Sequence, residues 1–155
     1  MDQDGLYQRQ VIERARTPVH AGPLDGATGR GEGTNPMCGD RVRVGVWLDA
    51  DGRIETVRHQ TRGCAICLAS ADMMAGLAAG QDRSGAVTMG RDFAALLQTG
   101  QDGDAPPELM VFAPLHRHRS RIRCATLAWS ALEAALAEVP VGTPVGETRD
   151  GMRRE

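Results

Sequence analysis

The chain has 155 residues, enough for one domain with its own core and too few for two ordinary ones. Hydrophobic residues at 41% exclude a disordered polymer, and a formal charge of −2 argues against a protein that coats nucleic acid or an anionic membrane. All 18 basic residues are arginine, which excludes lysine Schiff-base chemistry and a phosphate-loop lysine.

Leu6 to Ala15 reads as a short amphipathic helix, ended by Thr17-Pro18 because the residue before a proline avoids the helical region. Residues 21–34 carry five glycines and few apolar residues, and are expected to be a loop. Arg41 to Leu48 alternates cleanly, with Val42, Val44, Val46 and Leu48 on one face, and is the best strand. Asp49-Ala50-Asp51-Gly52 supplies turn chemistry, and Arg53 to Gln60 is expected to pair back as a hairpin. Ile54 and Val57 then fall on opposite faces unless a bulge intervenes.

From Ala65 the period becomes helical, with Ile66, Ala69, Met73 and Leu77 in a stripe closed near Gly80. Further helices are expected over Gly90 to Gln98, over Glu108 to Leu115, and from Ile122 to Glu138. These elements make one α+β domain over residues 1–138, a small antiparallel sheet packed against helices. Residues 139–155 are expected to be a flexible tail. No run of about 18 apolar residues offers a membrane span. The acidic start lacks the layout of a signal peptide, so a cytoplasmic protein with reduced thiols is expected.

Four cysteines carry the chemistry: Cys38, Cys64, Cys67 and Cys124. Cys38 and Asp40 are separated by one glycine, which lets a thiolate and a carboxylate converge on one metal ion; a turn with a chance buried cysteine is the plainer alternative. Cys64 lies where a strand hands over to a helix, a position that favours thiolate. Cys64-Ala65-Ile66-Cys67 is formally a C-x-x-C, yet Cys67 falls in an apolar stretch and suits a core thiol better than a ligand or a redox partner. Cys124 is expected to open the last helix, after the basic run His116 to Arg123. His116 and His118 are alternative ligands, and the arginines of that run are expected to offset an anionic site. His20 and His59 give no pattern and read as surface residues.

Three segments in order resemble the U-type iron–sulfur assembly proteins, the family of IscU, SufU and the N-terminal domain of NifU. They are Asn35-Pro36-Met37-Cys38-Gly39-Asp40, the stretch Gly63-Cys64-Ala65-Ile66-Cys67-Leu68-Ala69-Ser70-Ala71-Asp72-Met73-Met74, and Arg121-Ile122-Arg123-Cys124-Ala125-Thr126-Leu127-Ala128-Trp129. The resemblance implies a metal set of Cys38, Asp40, Cys64 and Cys124. The long interval between Cys64 and Cys124, and Arg123 where IscU-like scaffolds carry histidine, resemble the SufU branch. That branch implies Zn²⁺, a SufS-type cysteine desulfurase as partner and Cys38 as persulfide acceptor, a sulfur carrier rather than a stand-alone enzyme. Downstream iron–sulfur assembly or acceptor proteins would then receive the sulfur, and neither nucleic acid nor membrane is expected as a partner. The alternatives are a scaffold holding an iron–sulfur cluster on the same ligands and a structural zinc domain. Cys67, where SufU-like proteins usually have serine or another small residue, and the His116–Arg119 stretch depart from the pattern.

Overall fold

The computed structural model describes residues 3–101 and 103–139. Helix α1 spans Gln3–Arg16, and the strands are β1 Gly29–Asn35, β2 Asp40–Leu48 and β3 Ile54–Arg62. Helices α2 Ala65–Ala78 and α3 Arg83–Thr99 follow, then a 3₁₀ segment Pro107–Arg117 and helix α4 Arg119–Glu138. The antiparallel sheet has the order β1-β2-β3, and its inner face is covered by α2 and α4. Among the described residues no helix is long and apolar enough to cross a membrane.

Strand β2 alternates as its valines require: Val42, Val44 and Val46 are wholly buried against the helices. The Asp49 turn closes the next hairpin, its carboxylate accepting from the amides of Asp51 at 2.9 Å and Arg53 at 3.0 Å, with Gly52 at φ 83°. A register shift at Trp47/Leu48 places Ile54 opposite Leu48 and Val57 opposite Val46. This irregularity lets both apolar residues of β3 face the core, 1% and 2% exposed.

The expected loop over residues 21–34 is corrected by β1. Gly29, Gly31 and Gly33 fall on the face turned to α4 and let its backbone approach: a Cβ on Gly31 would lie 2.3 Å from the Ala131 carbonyl oxygen. The start of the same segment runs beside β3, where Ala21 bridges His59 in parallel and covers the sheet edge.

Helix α3 begins seven residues before the expected Gly90, capped by Asp82, whose carboxylate accepts from Gly85 N at 2.6 Å; it ends at Gly100 with φ 74°. The segment expected as a helix over Glu108 to Leu115 is 3₁₀, with Pro114 inside it. Helix α4 also starts earlier than expected, at Arg119, so Cys124 sits in its second turn rather than opening it. Phe93 meets Phe112 edge-on at 5.6 Å and Trp129 at 6.0 Å, tying α3, the 3₁₀ segment and α4 into one core. Val139 is buried at 3%, and the rest of the expected tail lies outside the described residues.

His59 is the clearest reversal: it is wholly buried rather than on the surface. Its Nε2 lies 3.0 Å from Asp72 Oδ1 and its Nδ1 2.7 Å from Thr61 Oγ1. Asp72, also wholly buried, further accepts from Arg14 Nε at 2.7 Å, Val19 N at 3.0 Å and His20 N at 2.8 Å. One carboxylate thus joins α1, the connection after it, β3 and α2. A neutral ring satisfies both contacts as one tautomer, with Nε2–H donating to the Asp72 carboxylate and Nδ1 accepting from the Thr61 hydroxyl. Burial depresses the His59 pKa, against the opposing pull of Asp72, which keeps the ring neutral and sets that direction.

Candidate metal centre

The site forms where the β1–β2 turn, the β3–α2 junction and the second turn of α4 meet. Asn35 and Asp40 are paired across the base of the turn, and the Asn35 carbonyl accepts from Cys38 N at 3.1 Å and Gly39 N at 2.8 Å. The Asn35 side chain serves the same turn, its Oδ1 accepting from Met37 N at 3.2 Å and its Nδ2 reaching Cys38 Sγ at 3.6 Å. Gly39 takes φ 75° with open space around it, a backbone state that costs a residue with a Cβ. The turn therefore holds Cys38 exposed at its tip while Asp40, the first residue of β2, stays 5% exposed.

Ligand atoms of Cys38, Asp40 and Cys124 all lie within 4.8 Å of one another. Cys124 is held by α4, which Ser70 of α2 fastens at this level by donating to the Ala125 carbonyl. Cys64 stands at the N-cap of α2, half-buried, with extended backbone at φ −74° and ψ 173°. It is not one of that mutually close set, although its thiol is near enough to Cys124 to act on it as a hydrogen-bond partner. Cys67, one turn into α2, is wholly buried.

The chemistry of this donor set fits a divalent cation. Asp40 Oδ2 is buried without a hydrogen-bond partner, which is costly for a carboxylate unless something positive meets it. Burial raises the Cys124 thiol pKa, and the Asp40 hydrogen bond and the Cys64 charge raise it further. Burial likewise pushes Cys67 up to about 12, with the charges of Asp40, Cys64 and Cys38 adding to it. Anionic donors gathered this closely oppose one another's deprotonation, and a cation reverses that opposition. Thiolate with carboxylate suits zinc, and thiolate-rich sites also suit iron–sulfur clusters.

Gly63, silent as a ligand, makes the arrangement possible. A Cβ there would stand 2.7 Å from Asp40 Oδ1 and 3.2 Å from the Cys67 Cβ. Asn35 and Ser70 are the other residues whose part was missed. An Asn-Pro pair three residues before a cysteine was the available sign of the first; a serine inside an apolar helix was that of the second.

Three arginines of the basic run have neighbours other than the cysteines. Arg119 donates to Gln98 Oε1 at 3.2 Å and Arg123 to Ser130 Oγ at 3.4 Å, while Arg121 lines a cleft with Tyr7, Ile66 and His118. His116 and His118 do not join the cluster; the His116 ring packs on Gly100, its Nδ1 3.1 Å from the Ala113 carbonyl.

Comparison with known proteins agrees with this architecture. Residues 6–141 match the family described as the NifU-like N terminal domain. The chain is 31% identical over 137 residues to the zinc-dependent sulfurtransferase SufU of Bacillus subtilis, covering 87% of this chain and 92% of that one. It is 34% identical over 134 residues to the iron–sulfur cluster assembly scaffold protein IscU of Streptococcus pyogenes, covering 84% and 82%. A crystal structure described as an iron–sulfur cluster assembly scaffold protein for the SUF system of Fervidobacterium islandicum superposes with a TM-score of 0.78 at 25% identity, covering 87% of this chain and 99% of that one. Matching the family over residues 6–141 and two of its members at 31% and 34% identity across most of its length, the chain belongs to the NifU-like N-terminal domain family of iron–sulfur cluster assembly proteins.

Proposed function

We propose that the chain is a zinc-bound sulfur acceptor that takes persulfide sulfur from a SufS-type cysteine desulfurase and passes it to downstream iron–sulfur assembly or acceptor proteins in the cytoplasm. The observation that carries this reading is the convergence of Cys38, Asp40 and Cys124 around a carboxylate oxygen that lacks a partner, with Cys38 alone of the three exposed. The metal set is Cys38, Asp40, Cys64 and Cys124. The name of the Bacillus relative and Arg123 before Cys124 support zinc over a resident cluster.

Bound zinc would keep the thiols deprotonated and shielded from oxidation. Cys38 is the nucleophile because it stands at the tip of a turn, between the 91%-exposed Met37 and the unobstructed Gly39, where a partner's persulfide can reach it. Its thiolate attacks the outer sulfur of the desulfurase persulfide. A new S–S bond forms at Cys38, the S–S bond of the desulfurase breaks, and the desulfurase cysteine leaves as thiolate with no net oxidation. Asp40 and Cys124, buried on β2 and α4, hold their places while the turn moves.

Metal analysis of the purified protein, followed by intact-mass detection of sulfur after incubation with desulfurase and cysteine, tests the reading. Zinc at about one per chain with one added sulfur, absent in Cys38→Ala, supports it. Sulfur uptake undiminished in Cys38→Ala overturns the assignment of the acceptor. Iron in place of zinc, no sulfur uptake, and a labile cluster passed intact to an apo-protein identify a scaffold instead.

A further inference from the structure

The outer face of the sheet, turned away from α2 and α4, takes no part in the metal centre yet runs up to it. Because Val42, Val44 and Val46 point inward, the residues between them point out. In the row nearest the centre Arg41 stands directly opposite Arg62; Arg43 follows, between Glu32 and Gln60, and then Arg30 and Arg58 on either side of Gly45. These five arginines are exposed, and against the one glutamate they give the face a net +4, in a chain whose formal charge is −2. Like charges directly opposite one another destabilise a sheet, so the Arg41–Arg62 pair works against the fold that carries it. Glu32 answers Arg41 with an ion pair, whereas Arg43 and Arg62 take part in none among the described residues. The far row is partly covered, by Leu24 and Ala27 over Gly45 and by Arg58 stacked on Trp47 at 5.6 Å. The open part therefore borders the metal centre. There Arg41, Arg43, Gln60, Thr61 and Arg62 line a cleft of about 240 Å³, with Arg41 directly after Asp40 and Arg62 two residues before Cys64.

We propose that this face is the docking surface for the sulfur-donating protein, which presents carboxylates around its persulfide cysteine and is steered by the arginines so that this cysteine arrives over Cys38. The inference rests on the sulfur-acceptor reading above and names the chemistry of the partner's surface. A guanidinium is a planar fork that meets a carboxylate with two parallel bonds, and every basic residue of the chain is arginine. The overall charge of −2 would repel an acidic protein, but charges beyond about 8 Å are screened at physiological salt. An approaching acidic patch therefore senses the arginine face rather than the whole chain, which fixes its orientation as well as its rate of arrival. Nucleic acid fits less well. Bases need open aromatic faces to stack on, and Trp47, the aromatic residue of this face, is half-buried beneath Arg58.

Stopped-flow association with a SufS-type desulfurase at rising salt, with sulfur uptake read by intact mass, tests the proposal against two charge-matched pairs. Arg43→Glu with Arg62→Glu alters the face; Arg16→Glu with Arg91→Glu makes the same change of charge at exposed positions of α1 and α3. The first pair is expected to slow association about tenfold at low ionic strength, the lower end of what steering supplies. The difference should vanish near 1 M salt, where the Debye length is about 3 Å. The second pair is expected to keep the wild-type rate, and all three proteins to reach the same end point of sulfur uptake. If both pairs slow association alike, only net charge acts and the docking face is wrong. If neither pair changes the rate while sulfur is taken up, the docking face is wrong although the sulfur-acceptor reading stands. If association depends on Arg43 and Arg62 but no sulfur is taken up, the docking face stands and the sulfur-acceptor reading fails. If the wild type does not associate with the desulfurase, or if the first pair abolishes binding of a short poly-U RNA and leaves desulfurase association unchanged, the proposal is overturned. Circular dichroism establishes the fold of each variant, and Arg43→Gln with Arg62→Gln replaces the first pair should that pair not fold.

Discussion

Gly63 and Asp40 are in direct steric opposition: a Cβ on the glycine would stand 2.7 Å from Asp40 Oδ1 and 3.0 Å from its Cγ. The clash falls on the end of the buried Asp40 side chain rather than on backbone, so the carboxylate is the group that gives way. Gly63→Ala is therefore expected to turn Asp40 away from the site and weaken metal binding on the order of 10–100-fold, the scale of losing a supporting contact around a ligand. Competition against a chromophoric chelator measures it. An unchanged affinity would mean that Asp40 is not a ligand or that the junction gives way more readily than its packing implies.

Asn35 bonds the Cys38 turn three ways, through its carbonyl, its Oδ1 and its Nδ2. Asn35→Ala keeps the carbonyl bonds and removes the other two, at a cost of about 1 kcal/mol in stability. The larger effect is expected on sulfur uptake, because the turn then presents Cys38 in many orientations. Single-turnover transfer from a persulfidated desulfurase should slow several-fold while metal content stays constant. Equal transfer rates would show that the partner, rather than Asn35, orients the thiol.

Gly31 faces the backbone of α4, and a Cβ there would sit 2.3 Å from the Ala131 carbonyl oxygen and 2.4 Å from Ala135 N. Backbone atoms cannot rotate aside, so Gly31→Ala must push β1 and α4 apart. The expected loss is about 3 kcal/mol, the upper range for overpacking, seen as a lowered urea midpoint. Gly39→Ala, with nothing near its Cβ but φ at 75°, should cost only about 1 kcal/mol. A reversed order would remove close strand–helix packing as the reason for the glycines.

The same glycines explain what was hidden in the sequence. Strand β2 and helix α2 were legible because burial selects apolar residues at periods of 2 and 3.6, and nothing else competes in Val42-Arg43-Val44 or Ala69 to Leu77. Strand β1 carries a period of 2 as well, in Gly29, Gly31 and Gly33, but absence of side chains is the property selected there, and it reads as a loop. At the site, Cys38, Asp40 and Cys124 were readable by chemical type, and the fold gathers them from turn, strand and helix. The supports were not readable, since Gly63 acts by what it lacks and Ser70 by one bond across 55 residues of sequence. His59 was misread for a related reason. A buried histidine is recognised by its partner, and Asp72 lies on a different element.

That buried pair governs the expected response to acid. Burial alone would raise the Asp72 pKa, but the hydrogen bonds from Arg14, Val19, His20 and His59 outweigh it and bring it from 3.8 down to about 2. A depressed carboxyl contributes stability above its unfolded pKa and loses it as pH falls from about 4 toward 2. His59 is depressed below its ordinary 6.5, chiefly by burial, so the unfolded chain takes up that proton first and stability already declines as pH drops below 6.5. The Tm of the protein should therefore fall in two stages on acidification. Loss of metal in acid acts on wild type and variants alike, so the quantity to read is the difference in Tm between them at each pH. His59→Gln should remove the upper stage and keep the lower. Asp72→Asn should remove the lower stage and cost about 3 kcal/mol at neutral pH, since it leaves the Arg14 guanidinium without its charge partner. A wild-type-minus-His59→Gln difference that stays flat from pH 8 to 5 would mean that His59 is not buried as the neutral donor to Asp72. The tie between α1, β3 and α2 would then rest on Arg14 and the two backbone amides alone.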